Sequence, residues 1–177
     1  GVLYGKEDLL NAMPPYQGGG DMIKSVTFAK TTYNALPYKF EAGTQDIAGA
    51  VGFSAATDYL NKIGLDEIGK NDMQLLKFAL KKLQEIDGLK LYCPADANKQ
   101  LGILTFEIPG IDSNDLAIAL EEADNIALRS GMLCAEPLVS RLNPKGLARA
   151  SMYIYNTKQE IEILAEDLGK IAKAVKK

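Results

Sequence analysis

The sequence lacks histidine and tryptophan altogether and contains only two cysteines, Cys93 and Cys134, among its 177 residues. Without histidine, this chain cannot itself supply an imidazole acid, base or metal ligand. Two cysteines are too few for the disulfide framework of a small secreted protein, and they form no Cys-x-x-Cys pair or other metal-ligand cluster. The sequence therefore predicts no metal site.

Long apolar runs and a strong charge of one sign are also missing. No run approaches the roughly 20 residues of a transmembrane helix, and the first residues lack the basic and apolar regions of a signal peptide. Lysine and arginine total 20 against 23 acidic residues, for a formal net charge of −3. Nucleic-acid and anionic-membrane surfaces need a basic run that is absent here. Composition favours a cytoplasmic protein with neither of these partners.

Apolar residues make up 47% of the chain, which is enough for a core in one or two domains. From Asp66 onward the pattern predicts helix, strand, strand, helix, strand, strand, helix. The helices cover about 66–87, 113–123 and 158–175, and the strands 89–93, 102–108, 126–128 and 148–155. This order predicts an α+β fold with a small antiparallel or mixed sheet and helices on one face.

The part before Asp66 is less regular. Residues 1–4 are predicted to end a strand, 6–13 to form a brief helix stopped by two prolines, and 22–28 to form a strand. A helix rich in alanine and glycine is predicted from Asp46 to about Ile63. These elements lack the partner strands of a complete sheet.

The most reactive residues fall between Arg129 and Pro137. Cys134 is predicted on a loop just past the strand 126–128 and the break at Gly131, and Arg129 could favour its thiolate or hold a carboxylate. Chemistry alone leaves the alternative that a lone cysteine is a small packing residue. Packing is also the predicted role of Cys93.

Two other polar residues have two interpretations each. Thr44 precedes the helix that starts near Asp46, so it is either a helix N-cap or a donor to a phosphate. Arg149 lies on the strand face opposite Ala150 and Met152 and is, by itself, a surface or interface cation.

Four short motifs give the chain a resemblance to a known family. Residues 129–137 resemble the R-[ST]-G-x-x-C-A-x-P loop of SufS-type (group II) cysteine desulfurases and selenocysteine lyases, in the class V aminotransferase family of pyridoxal-phosphate enzymes. Residues 18–23, 40–44 and 149–157 match further blocks in the same order, and residues 1–7 also match. The likeness spans essentially this whole chain but only the C-terminal part of the family's chain.

The resemblance implies roles for four residues. Cys134 would be the nucleophile that takes sulfur from cysteine, leaving alanine and an enzyme persulfide. Arg149, with Arg129, would hold the substrate carboxylate. Thr44 would reach the cofactor phosphate of a neighbouring subunit.

Two departures weaken the likeness. Gln45-Asp46 replace the usual Pro-Asn after Thr44, and an acidic Asp46 does not suit a phosphate. Met132-Leu133 stand where the family often has His-His.

The resemblance also implies the domain organisation. Residues 1–57 would be a remnant of the large pyridoxal-phosphate domain with its dimer-facing loops. Residues 58–177 would be the small C-terminal domain of a fold-type I pyridoxal-phosphate transferase. The family's cofactor lysine belongs to a His-Lys pair upstream of this chain, and Lys6, Lys24 and Lys39 lie in no matching context. Pyridoxal phosphate is therefore expected not to be bound by this chain alone.

Two hypotheses follow, and whether the chain is an enzyme stays open between them. In the first, a separate N-terminal half supplies pyridoxal phosphate, and this chain, inactive alone, completes a desulfurase for sulfur or iron–sulfur cluster assembly. In the second, the chain is a non-catalytic, SufS-related persulfide carrier or interaction module. Because the first residues lack their sheet neighbours, we expect exposed apolar surface and self-association as a homo-oligomer. A sulfur-acceptor protein is a possible partner.

Overall fold

The structure is a computed structural model that describes residues 1–176. These residues divide into two compact units, Gly1–Tyr59 and Leu60 onward. The boundary predicted from sequence, between 57 and 58, lies close to this division, and the assignment of residues 1–57 to a larger domain stays a prediction. The helices are α1 (Glu7–Ala12), α2 (Ile47–Ile63), α3 (Leu65–Gln84), α4 (Ser113–Asp124), α5 (Glu136–Leu142) and α6 (Lys158–Val175). The strands are β1 (Ile23–Val26), β2 (Thr31–Tyr33), β3 (Lys90–Leu91), β4 (Ile103–Glu107) and β5 (Ala148–Ser151).

The first unit contains α1 and an antiparallel ribbon of β1 and β2. α1 stops just before Pro14 and Pro15, which lack the N–H group that a helix needs to continue. In the ribbon, the hydroxyls of Ser25 and Thr32 are hydrogen-bonded at 2.9 Å. The strand predicted over residues 1–4 is wrong. Among the described residues no strand lies alongside this segment to pair with its backbone groups.

α2 has the composition of a packed helix but lies exposed. All 17 of its residues are described, and none of them is buried. Ile47, Val51 and Tyr59 follow each other in steps of four or eight residues, and each is more than half exposed. Residues four apart lie on one helix face, and such an apolar stripe ordinarily packs against another layer. α2 therefore leaves an apolar surface uncovered.

The second unit is built on an antiparallel sheet in the spatial order β3-β4-β5. Leu104 pairs with Ala150 and Phe106 with Ala148, and all four are buried. Because alternate residues of a strand share a face, these residues define the core side of the sheet. Leucines from α3, α4 and α6 complete the core, among them Leu76, Leu83, Leu116, Leu120 and Leu168. The predicted α+β fold with a small antiparallel sheet is confirmed.

The strand predicted over 126–128 is wrong. Asn125 adopts a left-handed conformation, with φ of 57°, and ends α4. The amide of Ile126 then donates to the carbonyl of Leu120 at 3.2 Å, so termination of the helix uses a group that a sheet ladder would need. Within the described residues, the segment reaches β5 only at Arg129, through a single bridge.

Two elements near this segment also differ from expectation. The strand predicted over 148–155 ends at Ser151, since the amide of Tyr153 donates to the side chain of Asn156 at 2.9 Å and begins a turn. α5 was not predicted at all, although Pro137 in its first turn is a known signal of a helix start. No helix in residues 1–176 is long and apolar enough to cross a membrane.

Candidate functional site

The two arginines of the candidate site are joined through their backbones. The amide of Arg129 donates to the carbonyl of Arg149 at 3.1 Å, and the amide of Arg149 donates back at 2.7 Å. Residues paired directly in an antiparallel bridge project their side chains from the same face. The bridge therefore brings two guanidinium side chains, 20 positions apart in sequence, to one side of the sheet.

The loop after Arg129 places Cys134 at the surface. Gly131, Leu133 and Cys134 all have positive φ, at 88°, 55° and 54°. For Leu133 and Cys134 this left-handed conformation costs about 1–2 kcal/mol each, and strain of this kind is concentrated at functional loops. Cys134 is exposed, and Nη2 of Arg129 lies 3.6 Å from its Sγ. The structure thus brings together the thiol and the cation that the sequence singled out.

The start of this loop is held by contacts to α4 and to the turn before β5. The hydroxyl of Ser113, a buried residue, accepts from the amide of Gly131 at 3.3 Å, and the hydroxyl of Ser130 bonds to Asn114 at 2.8 Å. Gly146 packs against Gly131 so closely that a Cβ on Gly146 would lie 2.8 Å from the Gly131 Cα. These contacts fix the loop where it leaves the bridge.

Arg149 has hydrogen-bonding capacity to spare. It lies on β5 opposite Thr105, on the face of the sheet away from the core, and is half-buried. Its Nε is fully buried and has no hydrogen-bond partner among the described residues. A buried donor without a partner is costly, so a bound anion at the guanidinium would be favoured.

A second polar cluster, at the C-terminal end of α5, could not be predicted from the sequence. The hydroxyl of Tyr92 donates to Oε1 of Glu107 at 2.6 Å, Asn143 donates to Oε2, and Nζ of Lys90 lies 3.3 Å from Oε1. Burial raises the pKa of Glu107, but the hydrogen bonds from Tyr92, Lys90 and Asn143 outweigh it, so the pKa is lowered overall. Glu107 and Asn143 are 36 positions apart, and no local pattern relates them.

Thr44, the proposed phosphate contact, lies exposed in the first unit, whereas the two arginines and Cys134 belong to the second. The alternative of Thr44 as N-cap is wrong because α2 starts later, and Oδ1 of Asp46 accepts from the amide of Gly49 at 2.8 Å. Asp46 therefore puts a carboxylate where a phosphate would use the free amides of the helix start. Lys39 is engaged too, since its ammonium donates to the carbonyls of Leu10 and Asn11. These residues do not by themselves fit pyridoxal phosphate.

Neither Cys93 nor the acidic side chains form a second reactive site among the described residues. Cys93 is half-buried and packs against the core, as predicted, and burial raises the pKa of its thiol. A cysteine in such surroundings stays protonated and is a poor nucleophile. Within residues 1–176, no group of three or more cysteine and acidic side chains is arranged to hold a metal ion.

Comparison with known proteins decides the family. The model of the family described as aminotransferase class-V matches residues 1–164. The chain belongs to the aminotransferase class-V family. The match includes the loop that carries Cys134 and both arginines.

The relatives with similar sequences are named as desulfurases. A "Probable cysteine desulfurase" of Halalkalibacterium halodurans is 46% identical over 96% of this chain, and a "Cysteine desulfurase" of Haloferax volcanii is 40% identical over 94% of it. The chain covers only 41% and 38% of these two proteins. This member of the aminotransferase class-V family thus spans about two fifths of the length of the curated relatives it matches.

Solved structures agree with the sequence comparison. The apo cysteine desulfurase from Thermococcus onnurineus is 32% identical, with a TM-score of 0.88, over 97% of this chain and 42% of that chain. The Escherichia coli cysteine desulfurase CsdA is 33% identical, with a TM-score of 0.83, and the same shares are covered. The fold of this class-V chain is therefore that of a part of these enzymes.

Proposed function

We propose that this chain is the C-terminal part of a SufS-type cysteine desulfurase, in which Cys134 receives the sulfur and Arg149, with Arg129, holds the substrate carboxylate. The observation that carries this proposal is the exposed Sγ of Cys134, which lies 3.6 Å from a guanidinium nitrogen of Arg129 on a loop bridged to Arg149. The names of the relatives support the reaction class.

The residues of this chain suit two parts of the work. Arg149 has a planar guanidinium that can bind a carboxylate through two parallel hydrogen bonds, and its buried Nε has no other partner among the described residues. The thiolate of Cys134 would attack the sulfur of the bound cysteine. An S–S bond would form at Cys134 as the carbon–sulfur bond of the substrate breaks. The electron pair of the broken bond would stay on the substrate carbon, which takes up a proton and leaves as the methyl group of alanine. Arg129 places a positive charge 3.6 Å from this sulfur.

Binding of the cofactor is assigned to residues outside this chain. The relatives are more than twice as long, and the residues described here do not fit pyridoxal phosphate by themselves. The cofactor and its lysine are therefore assigned to an N-terminal portion, supplied as a partner or as part of the same protein. Without that portion, the chain is expected to be inactive.

The alternative is a non-catalytic persulfide carrier or interaction module for sulfur or iron–sulfur cluster assembly. Asp46 at the start of α2 favours it, because a carboxylate there opposes a phosphate contact by Thr44. The apolar pair Met132-Leu133 in the reactive loop also favours it.

A chimera separates the two proposals. The portion of the Halalkalibacterium relative that this chain does not cover is fused to Gly1, and the product is purified with pyridoxal phosphate. The desulfurase proposal predicts that the chimera releases alanine and sulfide from cysteine in the presence of a thiol reductant. A parallel assay with selenocysteine tests the second substrate. A folded, cofactor-loaded chimera that releases neither alanine nor sulfide from cysteine would overturn the proposal and leave the carrier role.

The chain alone is expected to self-associate through the stripe of Ile47, Val51 and Tyr59 on α2. These side chains are apolar and exposed, and large apolar patches of this kind are usually covered by a partner surface. Sedimentation velocity over a range of concentrations should show dimers or larger species. The double variant V51E/Y59E should shift the chain toward monomer.

The matched control for this test is I118S, which removes an exposed apolar side chain from α4. It should leave the association unchanged. A wild-type chain that stays monomeric at high concentration would contradict the prediction.

A further inference from the structure

The reactive loop runs directly into α5, so whatever orients α5 also fixes Cys134. Cys134 lies two positions before the first residue of this short helix. Within α5, all of whose residues are described, only Val139 is buried, with 3% of its surface exposed. Burying one valine contributes roughly 1.5–3 kcal/mol, but apolar burial has no direction. Polar contacts, which have preferred directions, can therefore add to the orientation of α5.

Asn143 supplies such contacts at the end of α5. Its amide donates to the carbonyl of Val139 at 2.7 Å, and its side-chain oxygen accepts from the amide of Lys145 at 2.9 Å. The side-chain NH2 donates to Oε2 of Glu107, which lies on β4. One residue thereby ties the helix end to the following turn and to the sheet.

Glu107 is suited to hold this end. Only 14% of its side chain is exposed, and both of its oxygens are occupied, Oε1 by Tyr92 and Lys90 and Oε2 by Asn143. The donors lower the pKa of Glu107 in spite of its burial, so the carboxylate is charged at neutral pH. Hydrogen bonds to a charged acceptor are about twice as strong as neutral ones.

We infer that Glu107 is a positioning residue for the reactive loop: through Asn143 it fixes α5, and through α5 it keeps Sγ of Cys134 beside Arg129. Glu107 touches neither the thiol nor the arginine and acts only through the helix. The inference rests on the proposed function for its purpose, since a fixed thiol matters if Cys134 receives sulfur. Its geometry can be tested without any cofactor.

The test measures how strongly Cys134 prefers an anionic reagent. In a C93A background Cys134 is the only thiol, and the ratio of its alkylation rates with iodoacetate and iodoacetamide reports the cation beside it. R129Q sets the ratio expected when that cation is lost. E107A removes the acceptor of Asn143, and N143D places two carboxylates against each other. E107A and N143D should each lower the ratio by about threefold, the size of one exposed ion-pair contact.

The exchange E107Q/N143D restores the contact with its direction reversed. The amide introduced at 107 can donate to the carboxylate introduced at 143 and still accept from Tyr92. The ratio should return to at least half of the parent value. The rescue shows that the ratio depends on the contact itself and not on either side chain alone, and thermal unfolding of every variant separates positioning from general loss of stability. E162Q, which removes an exposed carboxylate on α6, is the matched control and should leave the ratio unchanged.

Two results would overturn the inference. One is an unchanged ratio in N143D while thermal unfolding shows a folded protein. The other is an exchange variant with a ratio no better than that of N143D, which also decides the matter if E107A fails to fold. Failure of the chimera to release sulfide would count against the proposed function alone, because the alkylation ratio requires neither cofactor nor substrate.

Discussion

Cys134→Ser in the chimera is expected to lower sulfide release from cysteine by at least about 10³-fold, the scale seen when a nucleophile is removed. A serine hydroxyl cannot form the S–S bond that carries the sulfur. The thiol is exposed and lies beside Arg129, so its replacement by an oxygen atom should leave the fold intact. Mass spectrometry of peptides after a single turnover should find the added sulfur on Cys134 in the parent and on no residue in the variant.

C93A is the matched control for this experiment. Cys93 is half-buried and burial raises the pKa of its thiol, so its loss should leave sulfide release within about twofold of the parent, the range expected of a residue outside the reaction. Persulfide found on Cys93, or undiminished turnover in C134S, would refute the role assigned to Cys134.

The helices with long apolar stripes could be predicted from the sequence because their signals are local. α3 and α6 repeat apolar residues at helical spacing, and α6 begins with a complete capping box between Thr157 and Glu160. Cys134 and the arginines were found through the motif of a family, since spacing alone left a packing role open for the thiol. Their closeness in space depends on the backbone bridge between Arg129 and Arg149, which only the fold determines.

The sequence predictions were wrong or missing where a hydrogen-bond partner that is distant in sequence, or that competes with the expected one, decides the local structure. Residues 126–128 have the apolar character of a strand, yet the end of α4 takes the amide of Ile126. Asp46 caps α2, and Thr44 does not. Aspartate and threonine are both good N-cap residues, so only the position at which the helix starts decides between them. Glu107 carries no sequence signal because its partners come from β3, from the residue that follows β3 and from the end of α5.

Replacing Arg149 is the second change with a large expected effect. R149A in the chimera should lower kcat/KM for cysteine roughly 100-fold, about 2.7 kcal/mol, as expected when a charged, hydrogen-bonded contact to substrate is lost. R149K should recover little, because an ammonium cannot form two parallel hydrogen bonds to a carboxylate. The backbone bridge to Arg129 does not involve the side chain, so Cys134 alkylation should proceed at a similar rate in both variants.

Arg141 offers a matched control, as an exposed arginine in the last turn of α5. R141A should leave kcat/KM near the parent value. A substrate analogue without the carboxylate, cysteamine, provides the decisive comparison: it should react equally poorly with the parent and with R149A, since neither can use the guanidinium to hold it. If R149A lowered turnover of cysteine and cysteamine by the same factor, Arg149 would be acting on the loop or the fold and not on the carboxylate of the substrate.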